Sequence, residues 1–324
     1  MKNMENLSQK MEREGIEQKF FEISAEGKFQ PEQIEVQITN GSLKRSVESE
    51  NFIEQQWQQK LADGLKSWPN DTKPTRYRLA GTKVMDNRLI LTLDPCVSYR
   101  DFAGSNSSDF AKRFGPDYLP RALAVTVILI AKNKNGEEQI LMTLRKPDHD
   151  YKAGGYHIST GGFMEIDKET DPTRAALREL HEESGIDETE LNSLVCIGVV
   201  ANPWTKHSDI VYEAKTALSV EDILTKEHDR ENNLLFIPTE RKKLQQWLLG
   251  TAHAATGIAT AGLLLTGKES VGREKDDAGQ LIDGEKWYRE MLKALAWRSE
   301  KYDDESVRKT LEKRDKLRLV NKIA

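Results

Sequence analysis

The spacing of apolar residues predicts strands and helices in mixed order. Residues 34–38 alternate between apolar and polar side chains, as in a half-buried strand, whereas residues 49–65 place apolar side chains at helical spacing. The stretch 121–132 is almost continuously apolar and β-branched, which predicts a central strand that is buried on both faces. Further strands are predicted at 77–84, 88–93, 139–144, 194–201, 210–218 and 234–237, and further helices at 172–184, 220–225, 239–249, 252–265, 284–299 and 305–319. This order predicts an α/β fold.

The same pattern divides the chain into four parts. Residues 1–30 are polar and are predicted to form a frayed helix or a partly disordered arm. Residues 31–118 carry the signals of a small α+β domain. Residues 119–267 contain the central strand and most of the others, which predicts the main domain. Residues 268–324 are predicted to be a linker followed by charged helices that serve packing or oligomerisation, which is compatible with a homodimer.

Composition and charge narrow the class of protein. The charged fraction is 31%, and the formal net charge is −5 without a basic stripe, so we expect no nucleic-acid partner. The two cysteines, Cys96 and Cys196, form no metal or redox motif, which favours a reduced, cytoplasmic setting. The first twenty residues predict no signal peptide, and no apolar run is long enough to span a bilayer, so no membrane association is expected.

One predicted helix has unusually clear ends. Asp171 is a good N-cap, and Pro172 suits the first helical position, where no backbone N–H is needed. Gly185 suits the left-handed conformation that ends a helix. The helix is therefore predicted to cover residues 172–184.

This helix crowds three carboxylates onto one face. Glu179, Glu182 and Glu183 stand at i, i+3 and i+4, so their side chains are neighbours. Ligands that offer only oxygen suit Mg²⁺ or Mn²⁺. On residue types alone, a solvated acidic face paired with Arg174 and Arg178 is the alternative interpretation.

The residue order around the helix resembles the Nudix box. Residues 178–186 read RELHEESGI and match the second half of that pattern, REUxEExGU, without a gap. The first half departs from the pattern, because two extra residues stand between Gly162 and Arg178, and Thr170 occupies the position of the first glutamate. Three acids in this loop are candidate substitutes for it: Glu165, Asp167 and Glu169.

The resemblance implies a fold, a cofactor and residue roles. It implies a Nudix α/β/α sandwich with a mixed sheet and a pyrophosphohydrolase that requires Mg²⁺, or Mn²⁺ as a substitute. The implied metal ligands are the carbonyl of Gly161 and the side chains of Glu179, Glu182 and Glu183, which Arg178 would orient. The proton acceptor stays open among these carboxylates and an acid of a later loop, for which Glu231 is the candidate.

The segment before the main domain offers candidate substrate contacts. Tyr99, Arg100 and Asp101 lie in a turn-like sequence, SYRDFAGSN. Tyr99 or Phe102 could stack on a base, and Arg100 could hold a phosphate; the alternative is a structural turn with an Arg–Asp pair. Arg145 ends a predicted strand just before the box and is a further candidate. The segment 98–106 and the elements before it resemble the animal branch of Nudix enzymes that hydrolyses UDP-glucose and UDP-galactose.

The resemblance therefore implies a small-molecule nucleotide substrate, and a nucleotide sugar in particular. A proline at position 203, beyond the box, is also similar to a marker of Nudix enzymes that act on nucleotide sugars. Two alternatives remain: a Nudix hydrolase of another nucleoside diphosphate derivative, such as ADP-ribose, coenzyme A or a dinucleoside polyphosphate, and a non-catalytic Nudix module that senses a nucleotide.

Overall fold

The computed structural model describes residues 20–65, 69–145, 155–158, 160–226, 232–251 and 257–301. The strands are β1 (Glu22–Phe29), β2 (Ile34–Ile38), β3 (Arg76–Met85), β4 (Arg88–Val97), β5 (Leu123–Lys132), β6 (Glu138–Arg145), β7 (Tyr156–Ile158), β8 (Thr160–Phe163), β9 (Leu191–Ala201), β10 (Ser208–Ser219) and β11 (Asn232–Pro238). The helices are α1 (Val47–Ala62), α2 (Tyr99–Ser105), α3 (Ser108–Phe114), α4 (Pro172–Ser184), α5 (Val220–Thr225), α6 (Arg241–Thr251), α7 (Gly257–Val271) and α8 (Gly284–Lys301).

The larger of two sheets is mixed, with β5 at its centre. Its main order is β1-β9-β10-β5-β6-β11, and the short strands β7 and β8 pair with β6 and β5. The pair β10–β5 is parallel, and β5 is antiparallel to both β6 and β8. Because β5 has neighbours on both edges and both faces covered, nine of its ten residues are buried. This confirms the predicted central strand.

Each face of this sheet is covered by a separate apolar cluster. On one face, Ile128, Val211 and other strand residues pack with side chains of α6, α7 and α8, including Leu244, Leu264 and Trp287. On the other face, Val127 and Ile210 pack with Leu180 of α4 and with the second, smaller sheet. Helices on both faces of a mixed sheet confirm the predicted α/β sandwich with additional N-terminal and C-terminal parts.

The smaller sheet belongs to the N-terminal part and has the order β2-β4-β3. Its hairpin β3–β4 turns at Asp86 and Asn87, whose φ angles are 49° and 58°. Positive φ at both central residues is the geometry that two-residue hairpin turns require, and Asp and Asn tolerate it better than most residues. Leu79 and Leu91 bury the inner face of this sheet against the same face of the large sheet that carries α4.

Strands β7 and β8 and helix α3 have no counterpart among the predicted elements, and three further stretches differ from them. Residues 22–29, predicted as part of a polar arm, form β1 and pair with β9 at the edge of the large sheet. Residues 99–105, predicted as a loop, form α2. Helix α7 extends to Val271, past the predicted helix end at residue 265, and α8 buries Trp287 and Leu292 against it. The predicted helix at 305–319 and residues 1–19 lie outside the described residues. Among the described helices, none is both long and apolar enough to cross a membrane.

Candidate active site

Helix α4 begins and ends at the predicted residues. The Asp171 carboxylate accepts a hydrogen bond from the Thr173 N–H at 2.8 Å, which satisfies one of the unpaired donors of the first turn. Gly185 has a φ of 70°, and its N–H donates to the carbonyl of His181 at 2.8 Å. The apolar face that seats the helix on the sheet consists of Ala175, Ala176 and Leu180. The glutamates of α4 are thereby held at fixed positions beside β8.

Two glycines of β8 allow the strand backbone to approach these glutamates closely. The N–H of Gly161 donates to Glu183 Oε2 at 3.0 Å. A Cβ atom on Gly162 would overlap the carboxylate of Glu179, so a larger residue there would displace that side chain. The side chain of Glu179 is only 11% exposed as a result. Strand β8 and helix α4 therefore form one unit around the carboxylates.

Arg178 is the hydrogen-bonding centre of the site. Its Nη1 donates to Glu179 Oε1 at 2.7 Å and to Glu182 Oε2 at 3.1 Å. Its Nη2 donates to Glu169 Oε1 at 2.8 Å and to the Phe163 carbonyl at 3.4 Å, and its Nε donates to Glu169 Oε2 at 3.3 Å. Burial by itself would lower the pKa of Arg178, but the surrounding carboxylates outweigh burial and raise that pKa above its ordinary value. Arg178 therefore orients three carboxylates at once.

Among the three loop acids, Glu169 is the one that reaches Arg178. Its side chain is 8% exposed and forms a two-point pair with the guanidinium. Relative to the Nudix pattern, one extra residue precedes Glu169 and one follows it, so the two-residue insertion is divided between the two sides of this acid. Glu165 instead pairs with Lys168 and is 36% exposed. Folding of the loop, rather than rigid spacing, selects the acid.

We expect Glu169→Gln to lower turnover about tenfold, because groups that orient a metal-site residue typically contribute ten- to a hundredfold. An amide keeps the size of the side chain but weakens the two-point bond to Arg178. Glu165→Gln is the matched control in the same loop and should keep full turnover. Steady-state kinetics on both variants tests this, and a larger loss for the Glu165 variant would contradict the assignment.

The donor chemistry of the site fits a divalent cation. All the candidate ligands offer oxygen, which Mg²⁺ and Mn²⁺ prefer, and three carboxylates surround the single guanidinium of Arg178. Burial raises the pKa of Glu179, while the charge of Arg178 opposes that rise, so a further cation would stabilise its ionised form. Within the described residues, however, no three acidic, histidine or cysteine side chains are arranged so that they could hold a metal ion together. The carboxylate oxygens of the glutamates point towards Arg178 and Gly161. These side chains would therefore have to reorient to bind a metal.

Helix α2 carries the three residues that were predicted to contact the substrate: Tyr99, Arg100 and Asp101. Arg100 Nη2 donates to Glu50 Oε2 at 2.6 Å, and the Asp101 carboxylate accepts from the Ser98 N–H at 3.1 Å in a capping box. Arg100 and Asp101 thus have structural partners within the N-terminal part, and a substrate role for them stays a prediction. The Tyr99 ring lies in an edge contact with Trp57, 6.0 Å between centroids, and a substrate role for it is likewise a prediction.

Two further predicted residues cannot be placed against the site. Arg145 ends β6, where its backbone is in register with Asn232, but its side chain lies outside the described residues. Glu231 also lies outside them. Their assignments to substrate binding and to proton transfer stay predictions.

The N-terminal part reaches the site through an aromatic contact. The Phe102 ring of α2 packs edge-on against Phe163 at 4.8 Å between centroids and lies 5.3 Å from the ring of His207. His207 in turn pairs with the buried Asp209 at 3.0 Å, and Asp209 accepts from Thr126 Oγ1 at 2.5 Å. Phe163 directly follows Gly162, so α2 packs against the strand that carries the glycines.

This contact was not predicted from the sequence. Phe102, His207 and Arg76, which lies over the Phe163 ring, come from three segments that are distant in sequence. The one local signal was the spacing of His207 and Asp209, two residues apart at the start of a predicted strand. Burial would raise the pKa of Asp209, but the charge of His207 and hydrogen bonds from His207 and Thr126 lower it below its ordinary value.

Comparison with known proteins identifies the domain that contains this site. Residues 120–244 match the family model described as NUDIX domain. No curated protein matches the chain. Solved structures that resemble it include a Nudix hydrolase from M. smegmatis, RenU, with 20% identity over 45% of this chain and 84% of that one, at a TM-score of 0.31. A C. elegans Ap4A hydrolase binary complex has 17% identity over 46% and 95% of the two chains, at a TM-score of 0.29.

A third similar structure is a bifunctional NMN adenylyltransferase/ADP ribose pyrophosphatase from Francisella tularensis, complexed with AMP and a Mn ion. It is 19% identical over 43% of this chain and 41% of that one, at a TM-score of 0.27. At this similarity none of the three informs the substrate of the present chain. The family match covers residues 120–244, and the RELHEESGI sequence of the site lies within it. This match supports a hydrolase that acts on nucleoside diphosphate derivatives.

Proposed function

We propose that this protein is a Mg²⁺-dependent pyrophosphohydrolase of nucleotide sugars, with UDP-glucose or UDP-galactose as substrate. The products would be UMP and a hexose 1-phosphate. The observation that carries the hydrolytic part is the network in which Arg178 binds Glu169, Glu179 and Glu182 beside the two glycines of β8. Mn²⁺ is expected to substitute for Mg²⁺.

The side chains of Glu179, Glu182 and Glu183 and the carbonyl of Gly161 would hold the metal. When bound, a divalent ion neutralises phosphate charge and lowers the pKa of a bound water. Arg178 keeps the carboxylates oriented, and the N–H of Gly161 holds Glu183 against the strand. Glu182, Glu183 or the loop acid Glu231 would take the proton of the attacking water.

The substrate assignment rests on the N-terminal part. Its SYRDF segment resembles the UDP-sugar branch of the family, and Phe102 of that segment packs 4.8 Å from Phe163, one residue after Gly162. A nucleotide whose diphosphate lies at the carboxylates would then extend towards α2. In this arrangement, Tyr99 would contact the nucleoside, and Arg100 and Asp101 would exchange their present partners for the substrate. Arg145 would be a further substrate contact.

We expect EDTA to abolish turnover and added Mg²⁺ or Mn²⁺ to restore it. A substrate panel then tests the specificity: UDP-glucose, UDP-galactose, ADP-ribose, NADH, coenzyme A, diadenosine tetraphosphate and nucleoside triphosphates, compared by kcat/KM. The highest value is expected for a UDP sugar. A higher value for another member would replace the substrate but keep the enzyme class. Binding of nucleotides without metal-dependent turnover would instead indicate a sensor.

A further inference from the structure

One arginine beside the site lies outside the matched domain. Arg76 begins β3, and this part of the strand runs along the loop that leads from β8 to α4. The Tyr77 N–H donates to the Met164 carbonyl at 3.3 Å, and the Ile166 N–H donates to the Thr75 carbonyl at 2.9 Å. The backbone of Arg76 is therefore fixed opposite Glu165, in the middle of this loop.

The guanidinium of Arg76 lies between two aromatic rings. Its Cζ is 4.8 Å from the centroid of Tyr99 and 5.0 Å from that of Phe163, and its Nη1 donates to Thr75 Oγ1 at 2.9 Å. Burial lowers the pKa of Arg76, while the charges of Glu165 and Asp71 oppose that change. The rings fix the orientation of the guanidinium without neutralising its charge.

The hydrogen-bonding capacity of Arg76 is largely unused. Its Nε is buried and has no acceptor, and within the described part of the chain no carboxylate lies at ion-pair distance from it. The neighbouring arginines differ: Arg78 pairs with Asp94, Arg100 with Glu50, and Arg178 with its carboxylates. A half-buried guanidinium without a carboxylate partner is stabilised when an anion supplies the missing acceptors.

We propose that Arg76 binds a phosphate of the nucleoside diphosphate substrate, with Tyr99 and Phe163 as the aromatic walls of this subsite. The inference rests on the proposed function and deepens it. The Phe163 carbonyl accepts from Arg178 Nη2 at 3.4 Å, so the residue that contacts Arg76 by its ring contacts the carboxylate network by its backbone. One phosphate would lie at the carboxylates and the other at Arg76, whose planar fork suits phosphate oxygens.

The test compares Arg76→Gln, Arg76→Lys and Arg100→Gln with a matched control, Arg88→Gln. Arg88 lies on the same small sheet and is 53% exposed. The best substrate of the panel and UDP itself are the probes, with KM and kcat from kinetics and Kd from calorimetry. We expect Arg76→Gln to raise KM and the Kd for UDP about ten- to a hundredfold, as for a charge-assisted hydrogen bond, with a smaller effect on kcat.

Arg76→Lys should restore part of the affinity, because it keeps the charge but loses the planar fork. It also keeps the test valid if the glutamine variant does not fold. Arg88→Gln should leave KM and Kd unchanged. Unchanged KM and Kd in Arg76→Gln, or a loss of affinity in Arg100→Gln alone, would overturn the inference. Failure of the proposed function is a separate result, because the unmodified protein would then show no metal-dependent turnover. The Kd values for UDP would still test whether Arg76 binds a phosphate.

Discussion

Glu182→Gln is expected to lower the turnover number at least about 100-fold, because a carboxylate that holds a catalytic metal contributes several kcal/mol to transition-state stabilisation. The amide has nearly the same shape but lacks the negative charge. The Glu182 side chain is 50% exposed and forms one ion pair, with Arg178 at 3.1 Å. Exposed ion pairs contribute little to stability, so the melting temperature should hardly change. Kinetics at saturating Mg²⁺ with thermal unfolding in parallel provides the measurement.

The matched control is Glu188→Gln. Glu188 lies shortly after the same helix and forms an exposed ion pair with Arg174 at 3.1 Å, so its loss of charge is chemically the same. The control should keep full turnover. If Glu182→Gln retained near-normal turnover, the metal site would not lie at these carboxylates.

The second large effect concerns the two glycines of β8, which we expect to fail in different ways. Gly162→Ala should lower turnover at least about tenfold, because its Cβ would displace the Glu179 carboxylate from Arg178. A side-chain end can move aside, so stability should fall only slightly. Gly161→Ala should instead destabilise the fold by about 1–3 kcal/mol, because its Cβ would lie 2.6 Å from the Val125 carbonyl in the central strand.

Denaturant unfolding and kinetics on both variants separate the two effects. Gly250→Ala is the control, since nothing lies within 4 Å of a Cβ there and alanine favours its helix. A Gly162 variant with normal turnover would mean that Glu179 need not occupy its present position. A Gly161 variant with normal stability would mean that β5 and β8 can separate at this point.

Strong local sequence signals predicted the α/β fold and the part of the site that lies on helix α4. Helix α4 matched the predicted bounds because its cap, its proline and its terminal glycine act within the helix itself. Strand β5 was predicted correctly because a strand with both faces buried has few polar positions. The strands predicted at 77–84 and 88–93 flank the hairpin turn at Asp86 and Asn87, two residue types that accept its backbone conformation better than most.

Two of the elements that were not predicted, β1 and α2, were missed for different reasons. Strand β1 pairs with β9 through two register shifts, so Ala25 and Phe29 are buried four residues apart and the alternation of a strand is lost. Helix α2 did carry a local signal, the Ser98–Asp101 capping box, but the aromatic and turn residues around it favoured a loop. Periodicity alone therefore indicated neither element.

By itself, the sequence determined that three carboxylates are neighbours, because spacing along one helix places Glu179, Glu182 and Glu183 close together in any fold that forms that helix. The tertiary structure decided which distant residues join them. It selected Glu169 over Glu165 and Asp167, and it brought Arg76, Phe102 and His207 to the strand that carries the glycines. Contacts between segments that are far apart in the chain depend on the packing of the two sheets, and no local spacing encodes that packing.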